Sequence, residues 1–243
     1  MLEIHPCQIL DLGLMDYEEA WNLQGEIAEK IARKAHPECL MLVEHPPTYT
    51  FGRRGDSKNL LWDEKELQKR SIKTYWVDRG GDVTYHGPGQ LVGYPMMFLG
   101  KPENNSEHIP TVDYVGYIRK LEECLIMALM KLGIGAGQVP GLTGVWLQPD
   151  LASRCPRCKP EDRQKPAKIA AIGVKVDANG ISRHGFALNV NPDMDNWEGI
   201  IACGLVGHPV ISLAEVMSPI PPMPEVKEAV TTSFAEVFKV QFI

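Results

Sequence analysis

The residues of this chain best suited to chemistry fall into two short stretches and a scatter of thiols. The first stretch, RGGDVTYHGPGQLVGYP from Arg79 to Pro95, holds Gly80, Gly81, Gly87, Gly89 and Gly93 beside Arg79, Tyr85 and His86. Glycine gives up more conformational freedom on folding than any other residue, so this density implies tight bends or another backbone lying close. Gly87-Pro88-Gly89 followed by Gly93 is one position off the dinucleotide-binding fingerprint. The LVGYPMMFL that follows is strand-like, where a phosphate site needs a helix N-terminus. Two readings stay open: a loop that lines a ligand with Arg79, Tyr85 and His86, or a turn with incidental polar groups. The second stretch is Cys155-Pro156-Arg157-Cys158. Such a pair supplies two of the four ligands of a structural zinc site, and nothing in sequence brings the others, so an exposed thiol pair without metal is expected. Cys7, Cys39, Cys124 and Cys203 stand apart. A thiol reacts as its thiolate, and exposure and pKa decide which one can. On residue type alone Cys203 is better read as an inert, buried side chain than as a reactive one.

Several elements must position these groups. Asp16 and Glu19 have capping-box spacing, and Ala20, Leu23, Ile27 and Ile31 recur at helical intervals behind them. The run CLMLVEH from Cys39 suits a buried strand, which His45-Pro46-Pro47 interrupts because proline cannot donate to a sheet ladder. A second strand is expected near Lys73 to Val77, and a long helix from about Val112 to Leu132. Val115, Ile118, Leu121, Leu125 and Leu129 form that helix's apolar stripe, and Gly133 is placed to end it. Lys168 to Val190 predicts a hairpin, with Asn179-Gly180 supplying the positive backbone angles of its turn. A short helix starts at Ser212 with Glu215 in capping-box position, and a final helix runs from about Glu225 to Phe238. Helices flanking hairpin-type strands, without regular βαβ alternation, predict one α+β domain over residues 1–243 with a mixed sheet. The polar, proline-containing segment 148–166 reads as an exposed insertion in it.

Bulk properties narrow the function. The net charge of -6 argues against binding nucleic acid or membrane through overall charge, and a 23% charged fraction is that of a globular chain. No apolar run approaches the roughly 18 residues of a membrane span, and MLEIHPCQILDLG lacks a basic start and apolar stretch, so no secretion signal is expected. Sparse cysteines fit a reduced, cytoplasmic protein.

RGGDVTYHGPGQLVGYP resembles the signature of the lipoyl(octanoyl) transferases, within the biotin/lipoate protein ligase superfamily. The likeness extends to LGLMDYEEAWNLQ from Leu12, EHPPTYTFGRRG from Glu44, KIAAIGVKV from Lys168, HGFALNVNPD from His184 and the ACG containing Cys203, and so covers nearly the whole chain. The resemblance implies a biotin/lipoate protein ligase-like fold and an enzyme that works without a bound cofactor or metal. It would move an octanoyl group from octanoyl-acyl carrier protein to a lysine of the lipoyl domains of 2-oxoacid dehydrogenases and of the glycine cleavage H protein. It also implies that Cys203 carries the acyl group as a thioester and that Lys168 lowers its pKa. The substrate site would be lined by Arg79, Gly80, Gly81, Asp82, Val83, Thr84, Tyr85 and His86, with walls from Ala171, Ile172, Gly173, His184, Gly185 and Phe186. Family members usually carry Asn-Pro before the Cys-Gly pair, where this chain has Ile201-Ala202.

Two alternatives keep the fold and change the function. An ATP-dependent lipoate or biotin protein ligase activates a free acid as an adenylate and needs no nucleophilic cysteine. A non-catalytic module would bind acyl-carrier or lipoyl domains only. Between Asp150 and Lys168 the chain carries six basic residues (Arg154, Arg157, Lys159, Arg163, Lys165, Lys168) against Asp150, Glu161 and Asp162, a candidate docking surface for acidic partners.

Overall fold

The structure is a computed structural model that describes residues 5–100, 113–202 and 207–243. Its strands are β1 (His5–Leu14), β2 (Glu38–Glu44), β3 (Thr48–Phe51), β4 (Lys73–Trp76), β5 (Val83–His86), β6 (Gln90–Met96), β7 (Gly137–Val139), β8 (Leu142–Leu147), β9 (Ala167–Val176), β10 (Ser182–Asn189) and β11 (Val240–Phe242). Its helices are α1 (Tyr17–Ala32), α2 (Glu64–Lys69), α3 (Tyr114–Lys131), α4 (Pro149–Ala152) and α5 (Met223–Phe238), with short 3-10 turns at Ser57–Asn59, Met194–Gly199 and Leu213–Glu215. The main sheet runs β11-β1-β2-β6-β10-β9-β8-β7. It is mixed: β1 lies parallel to β2 and β11, and the other neighbours pair antiparallel. A smaller sheet, β4-β3-β5, stands beside it. The fold is the α+β, mixed-sheet architecture that the sequence predicts.

Apolar patterning explains the layers. In β2, Cys39, Met41 and Val43 pack with Ala20, Ile27, Ala28 and Ile31 of α1, while Leu40 and Leu42 face the core shared with α3 and α5. Both faces are covered, so the strand reads as an unbroken apolar run rather than an alternating one. Asp16 caps α1 by accepting from the Glu18 amide, and Asp113 caps α3 by accepting from the Gly116 amide. The α3 stripe is buried at Leu121, Leu125 and Leu129, whereas Val115, expected in it, is 68% exposed on the first turn. Gly133 ends the helix at φ +82, and expected Val112 lies outside the described residues. In the β9–β10 turn only Gly180 takes a positive φ. Asn179 does not, because the Asp177 carboxylate shapes the turn by accepting from the amides of Asn179 and Ile181. Among the described residues, no helix is long and apolar enough to cross a membrane.

Candidate active site

A mostly apolar pocket opens between the two sheets. Its floor follows the sheet register, in which Val92, Ala187 and Ala171 stand in one row across β6, β10 and β9, and Gly185 and Gly173 in the row two residues along. Small residues at these positions leave a slot where larger ones would fill it. Gly93 allows one wall to close, since a Cβ there would sit 2.1 Å from the Phe186 ring. The remaining lining comes from Tyr17, Arg79, Gly80, Gly81, Thr84, His86, Tyr94, Ile172 and His184. Of the residues expected here, Val83 and Tyr85 are absent from the lining. Strand alternation sends them to the opposite face of β5, where they pack with Tyr49, Phe51 and Trp197. Asp82 lines an outer groove instead, held by the amides of Asp56 and Val83 and by the Asn59 side chain. Tyr17, Val92, Tyr94 and Ala187 were not expected in the site. Their periodicity is that of core residues, and only the register across three strands marks them as lining.

Buried polar groups hold the pocket rigid. Arg79 donates to the backbone oxygen of Thr50 at 2.6 Å, to Thr50 Oγ1 at 2.9 Å and to Gly80 O at 2.9 Å, pinning the glycine-rich turn to β3. Both His86 nitrogens are engaged, Nδ1 with Gln90 Oε1 at 2.8 Å and Nε2 with Thr50 Oγ1 at 3.3 Å. Burial pushes its pKa well below the usual histidine value, so the ring is a neutral, structural wall rather than a free group beside a thiolate. His184 stands at φ +56, and its Nε2 lies 2.8 Å from Asp78. That hydrogen bond, with those from Lys175 and Arg183, holds the Asp78 carboxyl far below the ordinary carboxylate range.

Lys168 lies at the near end of this pocket because β9 is irregular there. Leu147, Trp146 and Val145 of β8 pair with Ala167, Lys168 and Ala170, which leaves Ile169 as an extra residue. Ile169 and Ala170 both turn into the α3 core, so Lys168 and Ala171 emerge at the site, although simple alternation would put them on opposite faces. The Lys168 ammonium sits 4.7 Å above the Trp146 ring centroid, and the residue is 6% exposed. Its backbone is clamped from both sides: the Lys168 amide donates to Pro209 O at 2.8 Å, and the Ile211 amide donates to Lys168 O at 2.9 Å. Residues 209–211 therefore run beside the start of β9.

Lys168 connects two further spaces. One is an open groove of about 500 Å³ lined by Arg54, Gly80, Gly81, Asp82, Leu142 and Thr143, among others. The other is a small cavity of about 10 Å³, lined by Trp146, Lys168, Ala171, Trp197, Ala202, His208 and Val210. Cys203 lies outside the described residues, but Ala202 and His208, on either side of 203–206, approach Lys168 at this cavity. The other cysteines are accounted for. Cys7, Cys39 and Cys124 are fully buried, and burial pushes the first two up to about 12 and Cys124 higher still. Cys155 and Cys158 correct the expectation of exposed, reduced thiols: both are buried and joined in a disulfide. The basic character of the insertion is also partly consumed internally. Arg157 bonds Glu215 and Val210 O, Arg163 bonds Cys158 O, and Lys165 pairs with Asp162.

The comparisons with known proteins agree with one another. The family model described as the lipoyl protein ligase A/B catalytic domain matches residues 16–235. An octanoyltransferase of Chloroflexus aggregans is 39% identical over 230 residues, covering 95% of this chain and 94% of the relative. One of Gloeobacter violaceus is 40% identical over 236 residues, covering 97% and 91%. Among solved structures, a bipartite lipoate protein ligase of Thermoplasma acidophilum superposes with a TM-score of 0.68 at 17% identity, covering 99% of this chain and 86% of that one. A lipoate-protein ligase A bound with ATP gives 0.65 at 17%, covering 99% and 88%. At those identities the structures speak for the fold, which is lipoate protein ligase-like. Agreement with the curated relatives along almost its whole length settles the family: the chain belongs to the octanoyltransferases, acyltransferases built on the lipoyl protein ligase A/B catalytic domain.

Proposed function

We propose that this enzyme transfers an octanoyl group from octanoyl-acyl carrier protein to a lysine of lipoyl domains, including the glycine cleavage H protein, through a thioester on Cys203 assisted by Lys168. The observation that carries this is the shared cavity: Ala202 and His208, on either side of Cys203, meet Lys168 there, beside the apolar pocket. No other described cysteine is a competitor, since three are buried with raised pKa and two are bonded together.

The chemistry follows from those positions. Lys168 takes the Cys203 proton, and the resulting ammonium favours the thiolate beside it. The thiolate attacks the acyl carbonyl, the bond to the carrier sulfur breaks, and Lys168 returns the proton to the departing thiol. The acceptor lysine then enters as a neutral amine. Its nitrogen bonds the same carbon, Lys168 accepts its proton, and Cys203 leaves as thiolate, giving an amide in two steps instead of one. Arg79, Gly80, Gly81, Thr84, His86, Ala171, Ile172, Gly173, His184, Gly185 and Phe186 enclose the alkyl tail, while Asp82 borders the groove where the carrier arm or the acceptor lysine approaches. Val83 and Tyr85 support this wall from behind.

Intact-mass measurement after incubation with octanoyl-acyl carrier protein tests the proposal. Wild type gains one octanoyl mass and passes it to a lipoyl domain without ATP. Cys203→Ala gains none, and Lys168→Ala acylates at least about a hundredfold more slowly. Acylation that persists in Cys203→Ala, or product formation that requires ATP, overturns it.

A further inference from the structure

The small cavity at Lys168 has a chemical character of its own. Three ring nitrogens on its lining residues, Trp146 Nε1, Trp197 Nε1 and His208 Nδ1, are buried, and none has a hydrogen-bond partner among the described residues. An orphaned buried polar atom costs about 1–3 kcal/mol, so three around one space point to a ligand atom that satisfies them. An indole nitrogen can only donate, and His208 donates from Nδ1 when its proton is there. With the Lys168 ammonium over the Trp146 face, the surroundings are donors and positive charge, matched to an oxygen acceptor. The His208 ring meets the Trp146 ring edge to face at 5.4 Å, which places both at the same wall.

Size and position narrow the ligand. A cavity of about 10 Å³ holds roughly one water-sized group. It shares Ala171 with the apolar pocket and Lys168 with the open groove, so it lies where an acyl chain in the one meets a carrier arm in the other. We infer that this cavity receives the carbonyl oxygen of the acyl thioester and that Trp197 and His208, with Trp146, donate to the oxyanion formed in each transfer step. The inference rests on the Cys203 thioester proposed above. When the Cys203 thiolate adds to the carbonyl carbon, the carbonyl π pair moves onto the oxygen, where the three donors and the ammonium stabilise it. The pair returns as the carrier C–S bond breaks. In the second step the amine adds, the pair again rests on oxygen, and it returns as the Cys203 C–S bond breaks. No other reactant is needed.

Trp197→Phe keeps an aromatic ring and removes one donor, and His208→Ala removes another from a half-buried residue. Single-turnover acylation by octanoyl-acyl carrier protein is expected to slow about ten- to a hundredfold in each, with the donor's KM nearly unchanged. In the accumulated octanoyl-enzyme, labelled with 13C at the carbonyl, the infrared C=O band should move to higher frequency in both variants, a change that a purely structural role would not produce. Wild-type rates together with an unmoved band in both variants overturn the inference. Acylation of wild type at a residue other than Cys203 would instead remove the earlier proposal, and this one with it.

Discussion

Single residues in this molecule are set by burial more than by charge pairing. His45 is fully buried, and the loss of solvation lowers its pKa to about 4. Its hydrogen bonds fit the neutral ring: Nδ1 donates to Met15 O at 2.8 Å, and Nε2 accepts from the Tyr94 hydroxyl at 2.8 Å. Tyr17 and neutral His86 pack against it, and the charge of Asp16 opposes part of the shift. The unfolded chain binds a proton near pH 6.5 that the folded chain refuses until about pH 4. Stability is therefore complete above pH 6.5 and is lost as pH falls toward 4, by roughly 3 kcal/mol for this one group. Thermal unfolding from pH 7.5 to 4 should show the decline, and His45→Gln should flatten it. Residues of this kind were poorly legible in the sequence. His86 stood out in its glycine-rich run, but nothing local revealed that both its nitrogens are spent on Gln90 and Thr50. Cys203 and Lys168 emerged only through resemblance, because a thiol's reactivity depends on neighbours that folding supplies.

Elements with one strong period were legible, and those placed by the sheet were not. The stripes of α1 and α3 and the hairpin of β9 and β10 follow from spacing, whereas β1, β3, β7 and β11 are short or half-exposed strands that gain their form from neighbours. The site wall shows the same limit, since alternation along β5 divides a contiguous motif between two faces. Two predictions belong here. Gly144 has φ +116, and a Cβ there would lie 2.6 Å from Ala170 O and 3.4 Å from Lys168 Cε. Gly144→Ala should destabilise the fold by more than about 1 kcal/mol in urea titration and slow octanoyl transfer as well, because the clash falls on the irregular part of β9. Tyr94 occupies the row of the pocket farther from Lys168, beside Gly185 and Gly173. Tyr94→Leu should shift acyl preference toward decanoyl, read as the ratio of kcat/KM values for the two donors; an unchanged ratio would place the tail elsewhere.

At the scale of the whole molecule, two sheets and α1 enclose the apolar pocket, while the insertion braces the opposite side of Lys168. Arg157 makes that brace, reaching both Glu215 and the Val210 carbonyl, and the Cys155–Cys158 disulfide holds the turn that presents it. Replacing both cysteines by serine should cost about 2 kcal/mol by loop-closure entropy and lower the melting temperature, checked by calorimetry with and without reductant. The insertion's polar composition was plain in the sequence; its buried sulfurs were not, because two cysteines three apart carry no record of what covers them.

The extra residue at Ile169 has a consequence for how this chain can change length. Upstream, the exposed part of the insertion around Glu161 and Gln164 can gain or shed residues with little effect on what lies behind it. Between Ala167 and Ala171 the count itself is information. Removing Ile169 would restore an unbroken pleat with Lys168 and Ala171 still on one face, whereas adding a residue between Ala170 and Ala171 would turn Ala171 and every side chain after it to the other face. An added residue between Ala170 and Ala171 should therefore abolish transfer, whereas trimming the insertion between Glu161 and Gln164 should spare it. Which side chains of this strand meet the pocket is encoded as an odd or even number as much as in their identity.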